Sequence, residues 1–150
     1  MRVLIPTIIL LVPMATASAK KPQPALYVER STPGESMDAF ILRIAPEALS
    51  KSERQGAEVC GVIAEGPAGY SIRLSSGTAR TCEMDFADIE QGYRPTDQTF
   101  HTHIYSAMGH SEFTRADYAV KGYLAQAWKL LHQDGRGTAR YISRDLFKSR

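Results

Sequence analysis

Two histidines separated by one residue, His101-Thr102-His103, are where this 150-residue chain most readily builds chemistry. In an extended strand alternate side chains share a face, so the imidazoles project together and Thr102 points the other way. Imidazoles so placed bind one divalent metal through their ring nitrogens. A third ligand is needed, and Asp117 follows in Thr114-Arg115-Ala116-Asp117, a pattern that also reads as a plain helix cap. Two histidines and a carboxylate leave a coordination position for water, the layout of a catalytic zinc centre. H-x-H and T-x-x-D each arise without function. Their succession, with two of the four histidines in the first, is what points to a metal.

The elements that must position these residues are legible around them. Ser36 is an N-cap for a helix whose apolar stripe is Met37, Phe40, Ile41 and Ile44. Pro46 predicts the start of a second short helix ending near Gly56. Glu58 to Ala64, Tyr70 to Leu74 and Thr78 to Met84 read as a three-stranded meander, turned at Gly66–Gly69 and Ser75–Gly77. Residues 85–97 are a polar loop, and Gln98 to Tyr105 is the strand that carries the histidines. Thr114 opens a helix continuing to Lys121. Val120, Leu124, Ala127, Trp128 and Leu131 fit one helical face; alternatively Ala127 to His132 is a strand, turned at Asp134-Gly135 into Thr138 to Ile142. Trp128, Tyr123 and Leu124 are core candidates. His110, in a loop, reads as solvated or as a fourth ligand.

At the N-terminus, Arg2, the apolar run Val3 to Met14 and Ala17-Ser18-Ala19 make the three parts of a secretory signal peptide, residues 1–19, cleaved after Ala19. The run is too short to span a bilayer, which takes roughly 20 apolar residues, and no later stretch offers a membrane span for the mature chain. A secreted or periplasmic location follows. Residues 20–35, with Pro22, Pro24 and Pro33, read as an extended leader, and 36–150 as one domain. The formal charge is +2, one less without Arg2, which argues against nucleic acid as a partner. Cys60 and Cys82 are an even pair in an exported chain, readable as a disulfide or as two core thiols; Cys60 is also a weak candidate for a soft metal ligand.

Glu58-Val59-Cys60-Gly61, then His101-Thr102-His103, then Thr114-Arg115-Ala116-Asp117 resemble the JAMM motif of the JAB/MPN metalloprotease superfamily. The chain is most similar to the JAMM-like domain at the C-termini of bacterial Rhs-type and polymorphic-toxin proteins, through Phe100–His103, Phe113–Asp117 and Arg140-Tyr141. The resemblance covers about residues 36–143. It departs from the family pattern in two ways. The spacer from Ile104 to Phe113 is enlarged, with Ser111 at the family's usual spacing but no aspartate following it. Thr114 replaces serine.

The resemblance implies a single α/β domain, a mixed sheet flanked by helices in the cytidine-deaminase-like architecture, and it favours the hairpin of Ala127–His132 and Thr138–Ile142 over the helix. It implies a zinc-dependent peptidase or isopeptidase and points to an effector or toxin, with an immunity protein as partner and a protein or peptide as substrate. Zinc, held by His101, His103 and Asp117, acidifies a water. Glu58 takes that water's proton and passes it to the leaving amine. Thr114 donates to the developing oxyanion. Read without the family, Glu58 is a strand-end surface carboxylate. The P-C-x-x-C ligand pair of zinc deaminases is absent. The rivals are a silent binding module of the same fold and a toxin with non-proteolytic chemistry.

Overall fold

The stripe that begins at Met37 forms one uninterrupted helix, α1 (Met37–Gln55), in the computed structural model, which describes residues 25–108 and 112–148. The predicted signal peptide and its cleavage site, the start of the leader, His110 and Ser111 lie outside the described residues. Ser36 caps α1, accepting from the Ala39 amide, and Gly56 ends it in the left-handed region at φ +62°. Pro46 therefore does not begin a second helix as expected. It stands inside α1, where a missing hydrogen bond costs about 3 kcal/mol. Phe40, Ile41 and Ile44 before it and Ala48 and Leu49 after it are all buried, and packing of both halves offsets that cost.

Among the described residues seven strands make one mixed sheet: β1 (Tyr27–Arg30), β2 (Val59–Gly66), β3 (Gly69–Ser76), β4 (Arg94–His103), β5 (Lys121–Gln126), β6 (Lys129–Gln133) and β7 (Ala139–Ser143), in the order β1-β3-β2-β4-β5-β6-β7. Neighbours are antiparallel except β4 and β5, which run parallel with His101 opposite Leu124 and His103 opposite Gln126. α1 packs across one face, burying Val59, Ile63, Ile72, Leu74, Phe100, Tyr123 and Ala125. The expected mixed sheet is present. Among the described residues the flanking helices reduce to one long helix on one face, plus the four-residue α2 (Tyr105–Met108) and a 3₁₀ turn at Asp117–Ala119. No helix among the described residues is long and apolar enough to cross a membrane.

Five further expectations are corrected. The leader is not merely extended: Tyr27–Arg30 pairs with β3 at the sheet edge. Thr78 to Met84 does not return as a strand. After Gly77 and Thr78 bond the Glu58 backbone, Thr78 turns back on Thr81, and Cys82 is tied to Cys60 by a disulfide. The predicted helix from Thr114 shrinks to the 3₁₀ turn because Lys121 already pairs with Gln98 in β5. The helical alternative for 120–131 gives way to strands: the hairpin turned at Asp134-Gly135 that the family resemblance favoured is present as β6–β7, and β5, which was not expected, pairs with β6 before it. Ala127 takes φ +52° in its turn, and Trp128 is 48% exposed instead of core, whereas Tyr123 and Leu124 are buried.

Candidate metal centre

A parallel pair cannot be joined by a tight turn, so the chain must cross from the end of β4 back to the start of β5. That crossover, residues 104–120, carries Asp117. The two histidines lie on the face of β4 that α1 does not cover. Between them, Thr102 faces the helix and donates to Ser52 Oγ at 2.7 Å. Val59 packs in the helix-side core, so its neighbour Glu58 turns to the histidine face, buried just before β2 begins. Three separate segments thus deliver one cluster.

The ligand atoms of His101, His103 and Asp117 all lie within 4.8 Å of one another, and the group could hold a metal ion. Asp117 Oδ1 stands 3.4 Å from His101 Nε2, and Asp117 Oδ2 3.7 Å from His103 Nε2. Ligands about 2.1 Å from a tetrahedral ion are roughly 3.4 Å apart, so these separations suit one. Glu58 Oε1 is 4.0 Å from His103 Nε2, close enough for one water between them. Among the described residues, both ring nitrogens of His101 and Oε1 of Glu58 are buried without a hydrogen bond. Buried polar atoms left so are costly, and a cation among them is the group they fit. The triad and Glu58 line a cavity of about 270 Å³.

Burial pushes the Glu58 carboxyl up to about 7, with the nearby Asp117 carboxylate adding to the shift and His101 opposing it. At Asp117 burial raises the pKa, yet His101 and two bonds from Thr114 outweigh it and hold the carboxyl well below its usual range. Those bonds run from the Thr114 amide at 2.6 Å and from Thr114 Oγ1 at 2.8 Å, both to Asp117 Oδ2. Thr114 thus lines the cavity, but its hydroxyl proton is spent on the aspartate.

Cys60 is bridged to Cys82 with Cα atoms 5.9 Å apart, which removes it as a soft ligand. His132 lies elsewhere, against Gln98 Oε1 at 3.0 Å. Arg140 reaches Asp38 of α1, and Tyr141 donates to Glu112 at the base of the crossover. One supporting residue carries no signal in the sequence. Gln133, buried in β6, donates to the carbonyls of Asp117 (2.9 Å) and Val120, clamping the turn that presents the aspartate. A glutamine ending an apolar strand does not announce that role. Phe113 packs edge-on against His101, with ring centroids 6.1 Å apart. No family model, no curated protein and no solved structure matches the chain.

Proposed function

We propose that the protein is an exported zinc-dependent peptidase or isopeptidase of the JAMM type, acting on a protein or peptide, with an effector or toxin role. The observation that carries the reading is the convergence of His101, His103 and Asp117 beside the unsatisfied carboxylate of Glu58 in one cavity. Two nitrogens and one oxygen in near-tetrahedral spacing favour zinc over magnesium or calcium, which take oxygen ligands. When bound, the ion supplies a Lewis acid that polarises a carbonyl and acidifies water.

Each residue then has a task. His101 and His103 are fixed by the β4 ladder and Asp117 by Thr114 and Gln133, so the site is organised before it is filled. Glu58, pushed up to about 7, can both accept and return a proton near neutrality, as removal of a water proton and protonation of a leaving amine require. Burial of the cluster keeps its dipoles in a low dielectric, where they act most strongly. The Cys60–Cys82 disulfide supports an oxidising compartment and therefore export.

Glu58→Gln tests the assignment. The variant should bind about one zinc per chain, fold like wild type and lose hydrolysis by about 10²–10⁴-fold, measured by metal analysis and by turnover of a peptide library. Unchanged biological activity in Glu58→Gln would make the site a scaffold.

A further inference from the structure

The wall of the metal cavity opposite the crossover is the loop after β3. Its backbone is fixed at three points. Glu58 exchanges backbone bonds with Gly77 and Thr78; Thr78 Oγ1 accepts from the Arg80 amide at 3.3 Å; and Cys82 is covalently tied to Cys60, the β2 residue paired with His101. Arg80 stands between these anchors and lines the cavity together with the triad and Glu58. It is the only lysine or arginine among the described residues that line it. Arg30, Arg43, Arg73 and Arg140 each reach a carboxylate. The Arg80 side chain makes no ion pair or hydrogen bond among the described residues, although its backbone is held in place.

We propose that Arg80 receives a carboxylate of the substrate, so that the site takes peptides bearing a carboxylate within reach of the scissile amide. The proposal rests on the metal reading above, because the amide must sit at the ion while the anion sits at the loop. A guanidinium is permanently charged and pairs a carboxylate through two parallel N–H donors, which fixes orientation as well as register. The disulfide holds this donor at a set distance from the metal, so the span between anion and amide is selected. The carboxylate has two sources, a free C-terminus or an Asp or Glu side chain, and both present the same fork to Arg80.

Zinc-loaded protein should be titrated calorimetrically with monohydroxamates of dicarboxylic acids of increasing length, each beside its terminal amide. The hydroxamate anchors on the metal and the far end samples the loop. At one length the carboxylate should bind about 10–100-fold tighter than the amide. In Arg80→Ala the two should bind alike while zinc uptake is unchanged. Two peptide hydroxamates, one with a free C-terminus and one amidated with an acidic side chain, then identify the source by which shows the Arg80-dependent gain. One zinc per chain with no carboxylate preference at any length, or a preference that survives in Arg80→Ala, overturns the role of Arg80 alone. A protein that takes up neither zinc nor hydroxamate overturns the metal reading and this proposal with it.

Discussion

Residues 100–103 of β4 serve two faces of one sheet, and the faces are built on opposite terms. Toward α1, Phe100 is fully buried in the core, and Thr102 stands in a closed relay. It accepts from the Val59 amide at 2.9 Å and donates to Ser52, which donates to the Ala57 carbonyl at 2.8 Å. Toward the crossover, His101 is also buried, yet neither ring nitrogen has a hydrogen bond among the described residues. Burial is the same; satisfaction is not. A strand position whose buried donor and acceptor are paired, as at Thr102, gains stability, whereas buried acceptors aimed at one point hold that free energy for a ligand.

The largest effect expected from this contrast comes from two adjacent truncations. Phe100→Ala should cost about 3–5 kcal/mol in denaturant unfolding of the metal-free protein, from lost burial and the cavity left behind. His101→Ala should instead abolish zinc binding in equilibrium dialysis and leave the metal-free protein as stable as before, or more so, because an unsatisfied imidazole is removed. If His101→Ala unfolded the metal-free protein as Phe100→Ala does, the two faces would be one core and the distinction would fail.

The site was more legible in the sequence than the scaffold around it. His101 and His103 stand out because strand periodicity is short-range: one intervening residue fixes a common face whatever the rest does, and Asp117 stands out through the local T-x-x-D pattern. The β1 edge strand, the single helix through Pro46 and the loss of a third meander strand were hidden for the opposite reason. Tyr27–Arg30 is a strand only because β3 offers an edge, and Pro46 is tolerated only because both halves of α1 find the sheet. Residues 120–131 carry a helical stripe, yet pairing of β5 with β4 and of β6 with β5 overrides it. Gln133 gave no signal, since its bond to the Asp117 carbonyl depends on a turn far away in sequence, and the place of Arg80 on the cavity wall depends on a disulfide.

A smaller effect should appear in the pH dependence of the metal-free protein. Glu58 is pushed up to about 7 in the folded state by burial, whereas an exposed glutamate titrates at about 4.3. The folded state therefore holds this proton more tightly than the unfolded one. Its contribution to stability is complete below about 4.3 and is lost as pH rises through about 7. Unfolding of wild type and Glu58→Gln should thus diverge across this window, with wild type losing on the order of 2–3 kcal/mol relative to the variant. Zinc should reverse the trend in wild type, because the ion favours the ionised carboxylates and neutral imidazoles that higher pH supplies. Parallel pH profiles for the two proteins would show that Glu58 is no more desolvated than an ordinary surface carboxylate.

The smallest effect decides what Thr114 does. The family resemblance gives it the oxyanion; the geometry gives its hydroxyl proton to Asp117 Oδ2 at 2.8 Å, beside the amide bond at 2.6 Å. Thr114→Val keeps the branched shape and the amide donor and deletes only the hydroxyl. If the hydroxyl orients a ligand, zinc affinity should fall about 10–100-fold, as for other groups that hold metal ligands in place. Turnover at saturating zinc should then be close to wild type. If it donates to the oxyanion, zinc affinity should hold while kcat falls about 10²–10³-fold. The amide bond survives in both cases, so Asp117 stays near the cluster and the affinity loss should sit at the lower end of its range. A zinc titration and a saturating-metal turnover assay on the same preparation separate the outcomes. Affinity held with kcat reduced would return Thr114 to the reacting carbonyl and make its bond to Asp117 a resting-state contact.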